Sequence, residues 1–327
     1  MAWPSESDSG AVHELWLPPD TDPVAVHRLV DDRYPHSRRI DNPDRQRRWS
    51  LSRWSTLSAP EVDRTGRVVW TVRTLRERDE PPLPGMTDPD GLYRAFPGGR
   101  PVLEEGRVVA ALLGMARRLG GELVLDVGAD GTGRVLRPDP LARINLSVYS
   151  TVAMTPEVLA AVVAAVEPGA RLAMEGHPWN GPLFEPGDPY AEPQTEFLAA
   201  ISPAERARTA AFSEAFDAQA LAQPDAVDAY AVEVDLDWAG VLVVEAHAED
   251  DLPPQLRPLG WTEPVAYDVK WLPNDPREAE RDAPSGAYRH ARATALPRLQ
   301  VVTKAVAQAA VGRVLDADGF SVNPHSL

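Results

Sequence analysis

The chain of 327 residues contains no cysteine. That single absence removes disulfides, zinc–thiolate sites, iron–sulfur clusters and cysteine nucleophiles. Of its 33 basic residues only Lys270 and Lys304 are lysines, a bias towards arginine that points to a GC-rich bacterial genome. No apolar run approaches the roughly 18 residues of a membrane span. The opening MAWPSESDSG also lacks the basic and apolar regions of a secretory signal. These absences lead to the expectation of a soluble, cytoplasmic protein with no membrane contact. The sequence has no Gly-x-Ser-x-Gly elbow and no Gly-x-x-x-x-Gly-Lys phosphate loop, so no cofactor is expected.

What is present is ordinary globular material, 43% hydrophobic and 25% charged, long enough for two domains. The net charge of −16 disfavours approach to nucleic acid or an anionic membrane, because the summed field repels polyanions. The charge is uneven, however. Residues 28–78 hold 13 arginines against seven acids, a local +6 that leaves −22 on the remainder.

Periodicity places strands at Val12–Leu17, Arg67–Leu75, Glu122–Val127, Arg134–Leu136 and Ile144–Ser150, with three more in "AYAVEVDLDW", "GVLVVEAHA" and "EPVAYDVKWL". Helices are expected over Pro23–Arg33, Glu104–Leu119, Thr155–Val166, Ser202–Leu221 and Leu296–Leu315, each opened by a capping residue, an acid or a proline. The stretch 38–58 reads as a loop entering a short strand. Single helices among hairpin-like strands give an α+β class, two layered subdomains with largely antiparallel sheets and packed helices. A strand, a short turn with proline and an amphipathic helix recur from Val12, from Ile144 and, shortened, from Val241, which leaves a diverged duplication open. The expected division is residues 1–176, a proline-rich linker or excursion loop at 177–194, and residues 195–327.

"VLDVGADGTG" at 124–133 resembles the glycine-rich first motif of Rossmann-like S-adenosylmethionine-dependent methyltransferases, and "EPGARLAMEG" at 167–176 is similar to a late turn and strand of that family. The spacing departs from the family. Only 42 positions separate Asp126 from Pro168, where three strand–helix units of about 30 residues would need roughly 90. A β-run also follows the glycines, in place of a helix facing the cofactor. The expectation for Asp126–Arg134 is therefore a hairpin turn, since Asp-Gly supplies the positive φ angles such turns require. "DADGF" at 316–320 is similar to a calcium loop but lacks its later acidic ligands, and reads as another turn.

Three constellations remain. Glu175, His177, Glu185 and Asp188, with Trp179, Asn180 and Tyr190, crowd the five-proline stretch 177–194 and its approach. They read either as carboxylates and aromatics for a hydrolase or sugar-acting site, or as a stiff linker packed on a neighbour. Glu245, His247 and Glu249 share one strand face, as weak metal ligands or as a solvated face. Arg38, Arg39, Arg45, Arg47, Arg48 and Arg53 with Trp49 and Trp54 could grip phosphates and stack bases, or clasp the acidic remainder of the molecule. Without a catalytic motif, the leading expectation is a protein that binds another macromolecule, a protein above all, without catalysis. A carboxylate-dependent enzyme around 175–190 and nucleic-acid binding through 38–54 are the alternatives.

Overall fold

The computed structural model describes residues 10–41, 47–128, 130–174 and 229–327, with isolated positions between 202 and 215. The first half runs β1 (Gly10–Leu17), α1 (Pro23–Arg33), β2 (Arg38–Asp41), β3 (Arg47–Ser50), β4 (Thr56–Ser58), the short β5 (Glu61–Val62), β6 (Val68–Leu75), the helical turn α2 (Leu92–Ala95), α3 (Leu103–Leu119), β7 (Glu122–Leu125) and β8 (Arg134–Leu136). The second half runs β9 (Leu146–Ser150), α4 (Pro156–Ala164), β10 (Arg171–Met174), β11 (Ala229–Asp235), β12 (Val241–Ala248), β13 (Val265–Leu272), α5 (Gly286–Ala309), β14 (Arg313–Asp316) and β15 (Ser321–Val322). Every pairing is antiparallel. The protein is α+β with two sheets.

The two sheets have one connectivity. The first is ordered β2-β3-β4-β6-β1-β7-β8, with β5 attached to β6, and the second β10-β11-β12-β13-β9-β14-β15. In each, a first strand lies in the middle, a proline-started helix leads to the far edge, four strands return by neighbours, and a long helix precedes a closing hairpin. Leu15 stands between Leu123 and Trp70, and at the matching place Val148 stands between Val314 and Tyr267. Trp70 and Tyr267 are fully buried, one large aromatic anchoring each core. Both long helices end in a left-handed residue, Gly120 (φ 65) and Val311 (φ 51). The glycine that follows each lies against the first strand, where a Cβ would stand 2.6 Å from the Trp16 carbonyl oxygen at Gly121 and 3.1 Å from that of Tyr149 at Gly312. Only glycine lets the next strand approach so closely.

The sequence motifs fall into this frame. Thr155 caps α4 at the place where Asp22 caps α1, so the recurrences from Val12 and Ile144 occupy equivalent positions. The recurrence from Val241 does not, because "LPPQLRPL" forms only a 3₁₀ turn at Arg257–Leu259 before β13. "GADGTG" connects β7 to β8, with Leu123 opposite Leu136 and Gly131 at φ 74, and no helix follows it. "DADGF" is the equivalent turn between β14 and β15.

Two expectations need correction. Residues 38–58 form three short strands, because β6 and β4 supply pairing partners that an arginine-rich stretch does not advertise. The last helix starts at Gly286, with Ser285 as its N-cap, runs through Pro297 and ends at Ala309. Ala291, Ala295, Leu299 and Val302 are its buried stripe, and residues 313–316 belong to β14. In the second half, β9, α4 and β10 pack with the later strands.

Candidate functional site

Strand alternation separates the arginine segment. In the β2–β3 pairing Arg38 lies opposite Ser50, Arg39 opposite Trp49, Ile40 opposite Arg48 and Asp41 opposite Arg47, so Arg38 and Arg48 share the face opposite to Trp49. Trp49 packs on the first core, 4.5 Å from the ring of His27 and 5.9 Å from that of Trp70. Trp54 sits instead in the β3–β4 turn and is 42% exposed. Arg45, Glu175, His177, Trp179, Asn180, Glu185, Asp188 and Tyr190 lie outside the described residues. Of the segment beyond them, Ser202 and Glu205 exchange the two capping-box hydrogen bonds at 3.1 and 3.3 Å.

Glu245 and His247 share a face of β12, and each is tied to β13. Lys270 Nζ lies 2.5 Å from Glu245 and 3.3 Å from Asp268, and His247 Nε2 lies 3.5 Å from Asp268. The Ser147 hydroxyl donates to the other Asp268 oxygen at 2.6 Å. Burial alone would raise the Asp268 carboxyl, but the bonds from Ser147 and Lys270 outweigh it and hold the group below the ordinary carboxylate range. Glu249 turns away and accepts the Asp251 N–H. Among the described residues no three His, Asp or Glu side chains are grouped to hold a metal ion, and no serine is hydrogen-bonded to a histidine.

The repeated connectivity exposes a site that the sequence does not advertise. The β3–β4 and β11–β12 connections are five-residue turns of one design, Leu51–Ser55 and Leu236–Gly240. In both, the N–H of a buried leucine donates to the carbonyl of the fifth residue at 2.9 Å, and in both an indole points outward. Trp54 has the Arg53 guanidinium 4.8 Å from its ring centre. Trp238 is 57% exposed and stacks on His290 with ring centres 5.1 Å apart and planes 15° apart. Trp238 occupies the third position of its turn and Trp54 the fourth, so an alignment of side chains alone would not pair them.

The first turn is anchored to the start of α3 and the second to β13 and the loop that follows it. Trp54 N–H donates to Ser52 Oγ at 3.0 Å, Ser52 donates to Glu104, and Ser55 donates to the same oxygen at 2.5 Å. Glu104 opens α3 beside Leu103, a non-glycine residue at φ 48 that is 70% exposed. The helix start is fixed from below by a buried network. His13 Nδ1 accepts the Asp126 N–H at 3.2 Å, which leaves Nε2–H to donate to Glu105 at 3.1 Å. Glu105 also receives Arg78 at 2.6 Å and the Glu77 N–H at 2.8 Å. In the second turn Trp271 Nε1 donates to Ala239 O at 2.6 Å and Asn274 Nδ2 to Trp238 O at 3.2 Å, while Asp237 holds φ 55. Non-glycine residues at positive φ cost of order 1–3 kcal/mol and cluster at functional places. What this arrangement offers is two rigidly backed aromatic surfaces.

The chain matches no family model, no curated protein and no solved structure. Among the described residues no helix is long and apolar enough to cross a membrane.

Proposed function

We propose that the chain is a protein-binding protein that makes its contacts through the Trp54 and Trp238 turns, without catalysis. The observation that carries this reading is the repetition itself: one five-residue turn, present once in each half, presents an exposed tryptophan in both. Exposed tryptophans are costly in water and are the residues most enriched among the energetically dominant contacts of protein interfaces. Held on hydrogen-bonded turns, they lose little conformational freedom on binding. The enzyme alternative around 175–190 lies outside the described residues. The nucleic-acid alternative is weakened by the division of the arginine segment between two sheet faces and by the −16 charge.

The test replaces Trp54, Trp238 and, as an exposed control, Val158 one at a time with a photoreactive phenylalanine analogue in cells that make the protein. Discrete protein adducts from positions 54 and 238, and none from 158, are expected. The reading is overturned by nucleic-acid adducts, or by no protein adduct at either turn.

A further inference from the structure

The two turns carry opposite charge around the same aromatic feature. Over Trp54 lies the exposed Arg53, which has no carboxylate within ion-pair distance among the described residues, while Arg107 of α3 reaches Glu104 at 3.1 Å. Leu103 is the exposed aliphatic neighbour. Flanking Trp238 in the chain are the exposed Asp235 and Asp237, the Asp235 carboxylate accepting the Asp237 N–H at 2.8 Å. Neither has a cation within 4 Å among the described residues. Arg298, which acts on Asp237 from a distance, is bonded through two nitrogens to Glu167. Leu272 is exposed at the end of β13, beside the turn. An apolar indole beside an arginine in one half thus matches an apolar indole beside aspartates in the other.

We infer that the partner of the Trp54 turn is the Trp238 turn of a second copy of this chain. The inference rests on the reading that the two turns are protein-binding. Charge complementarity fixes the pairing: Trp54 on Trp54 would set Arg53 against Arg53, and Trp238 on Trp238 would set Asp237 against Asp237, like charges that cost binding energy. The mixed contact brings Arg53 to Asp237 and buries both indoles. The inferred assembly is a two-fold dimer, in which residue i meets j and j meets i, so that the contact is made twice.

The experiment is sedimentation velocity on the full chain, with circular dichroism to confirm that each variant is folded. The wild type is expected to sediment as a dimer at about 100 μM and to dissociate as salt rises. Arg53→Asp and Asp237→Arg, each alone, set like charges at both contacts and should weaken the dimer at least about tenfold. Mixing the two variants restores both contacts in the mixed pair. At one contact the introduced carboxylate meets the introduced guanidinium, and at the other the native Arg53 meets the native Asp237. The mixture should therefore recover most of the wild-type affinity, to within about threefold. A merely destabilising substitution would not be rescued by mixing. A folded wild type that stays monomeric at this concentration, or charge variants that associate like the wild type, overturns the inference. If adducts to a different protein are meanwhile found at both turns, the protein-binding reading survives; a monomer with no adducts removes both.

Discussion

Val311 is a β-branched residue at φ 51 and 81% exposed, holding the place that Gly120 holds in the first half. A left-handed conformation costs a non-glycine residue about 1–2 kcal/mol, and a side chain this exposed has little packing to offset it. Val311→Gly should therefore stabilise the protein by about 1 kcal/mol, partly reduced by the greater freedom of glycine in the unfolded chain. Urea denaturation of the two proteins measures it, and an unchanged or lower midpoint would show that the strain is already relieved. Asp316 gives the second prediction at this scale. Burial pushes its carboxyl above the ordinary range, with the Phe320 N–H and Arg118 opposing incompletely. Because the folded pKa is the higher one, the stability linked to this group is present in full below its unfolded pKa and is lost as pH rises through the folded value. Asp316→Asn removes that loss. The variant should gain on the wild type as pH rises above about 4, as read from stability measured against pH.

At the scale of elements, the β14–β15 hairpin joins the halves. Its turn delivers Phe320, fully buried, into the first core beside α3, while Arg117 of α3 pairs with both Asp318 and Asp90. Gly114 is where α3 yields room: a Cβ there would lie 2.6 Å from Phe320 Cε2 and 2.8 Å from the Asp318 Cβ. Alanine in a helix interior is ordinarily worth about 1 kcal/mol over glycine. Gly114→Ala should nonetheless destabilise by about 1–3 kcal/mol, because overpacking the docked hairpin outweighs the propensity gain. A thermal melt that rises instead would show that the hairpin does not press on α3. Of these elements, the β7–β8 hairpin was legible in advance, since the Asp-Gly turn chemistry is local. The strands β2, β3 and β4 were not, because they are three or four residues long and their stability comes from partners distant in sequence.

For the molecule as a whole, the buried Arg117–Asp90–Asp318 cluster implies that the two halves unfold together. Removing Asp318 leaves the buried Arg117 with Asp90 as its remaining carboxylate, a loss of about 1–3 kcal/mol. Asp318→Ala should lower the melting temperature and split a single calorimetric transition into two, as each half then unfolds on its own core. A single transition in the variant would mean that the halves are coupled elsewhere, at contacts such as Arg94–Asp282 or the Thr87 hydroxyl on Glu280 O. The proposed binding surface is legible only at this scale. Trp54 is conspicuous in the sequence as part of an arginine-rich run, and Trp238 is not. They become equivalent only when strand order and the leucine-to-fifth-residue hydrogen bond are compared.

The sequence by itself determined what depends on neighbours along the chain: the absence of thiol chemistry, the α+β class, the capped starts of α1 and α4, the buried face of α3 and the two Asp-Gly turns. Their causes are local, lying in φ preferences, side-chain periodicity and capping hydrogen bonds. The tertiary structure alone decided which strands share a sheet, that β9 to β10 join the second, that His13 meets Glu105 across 92 positions, and that both tryptophan turns share one design. Those outcomes depend on pairing between distant segments, where burial and hydrogen bonding are satisfied jointly by residues whose order in the chain carries no trace of their proximity.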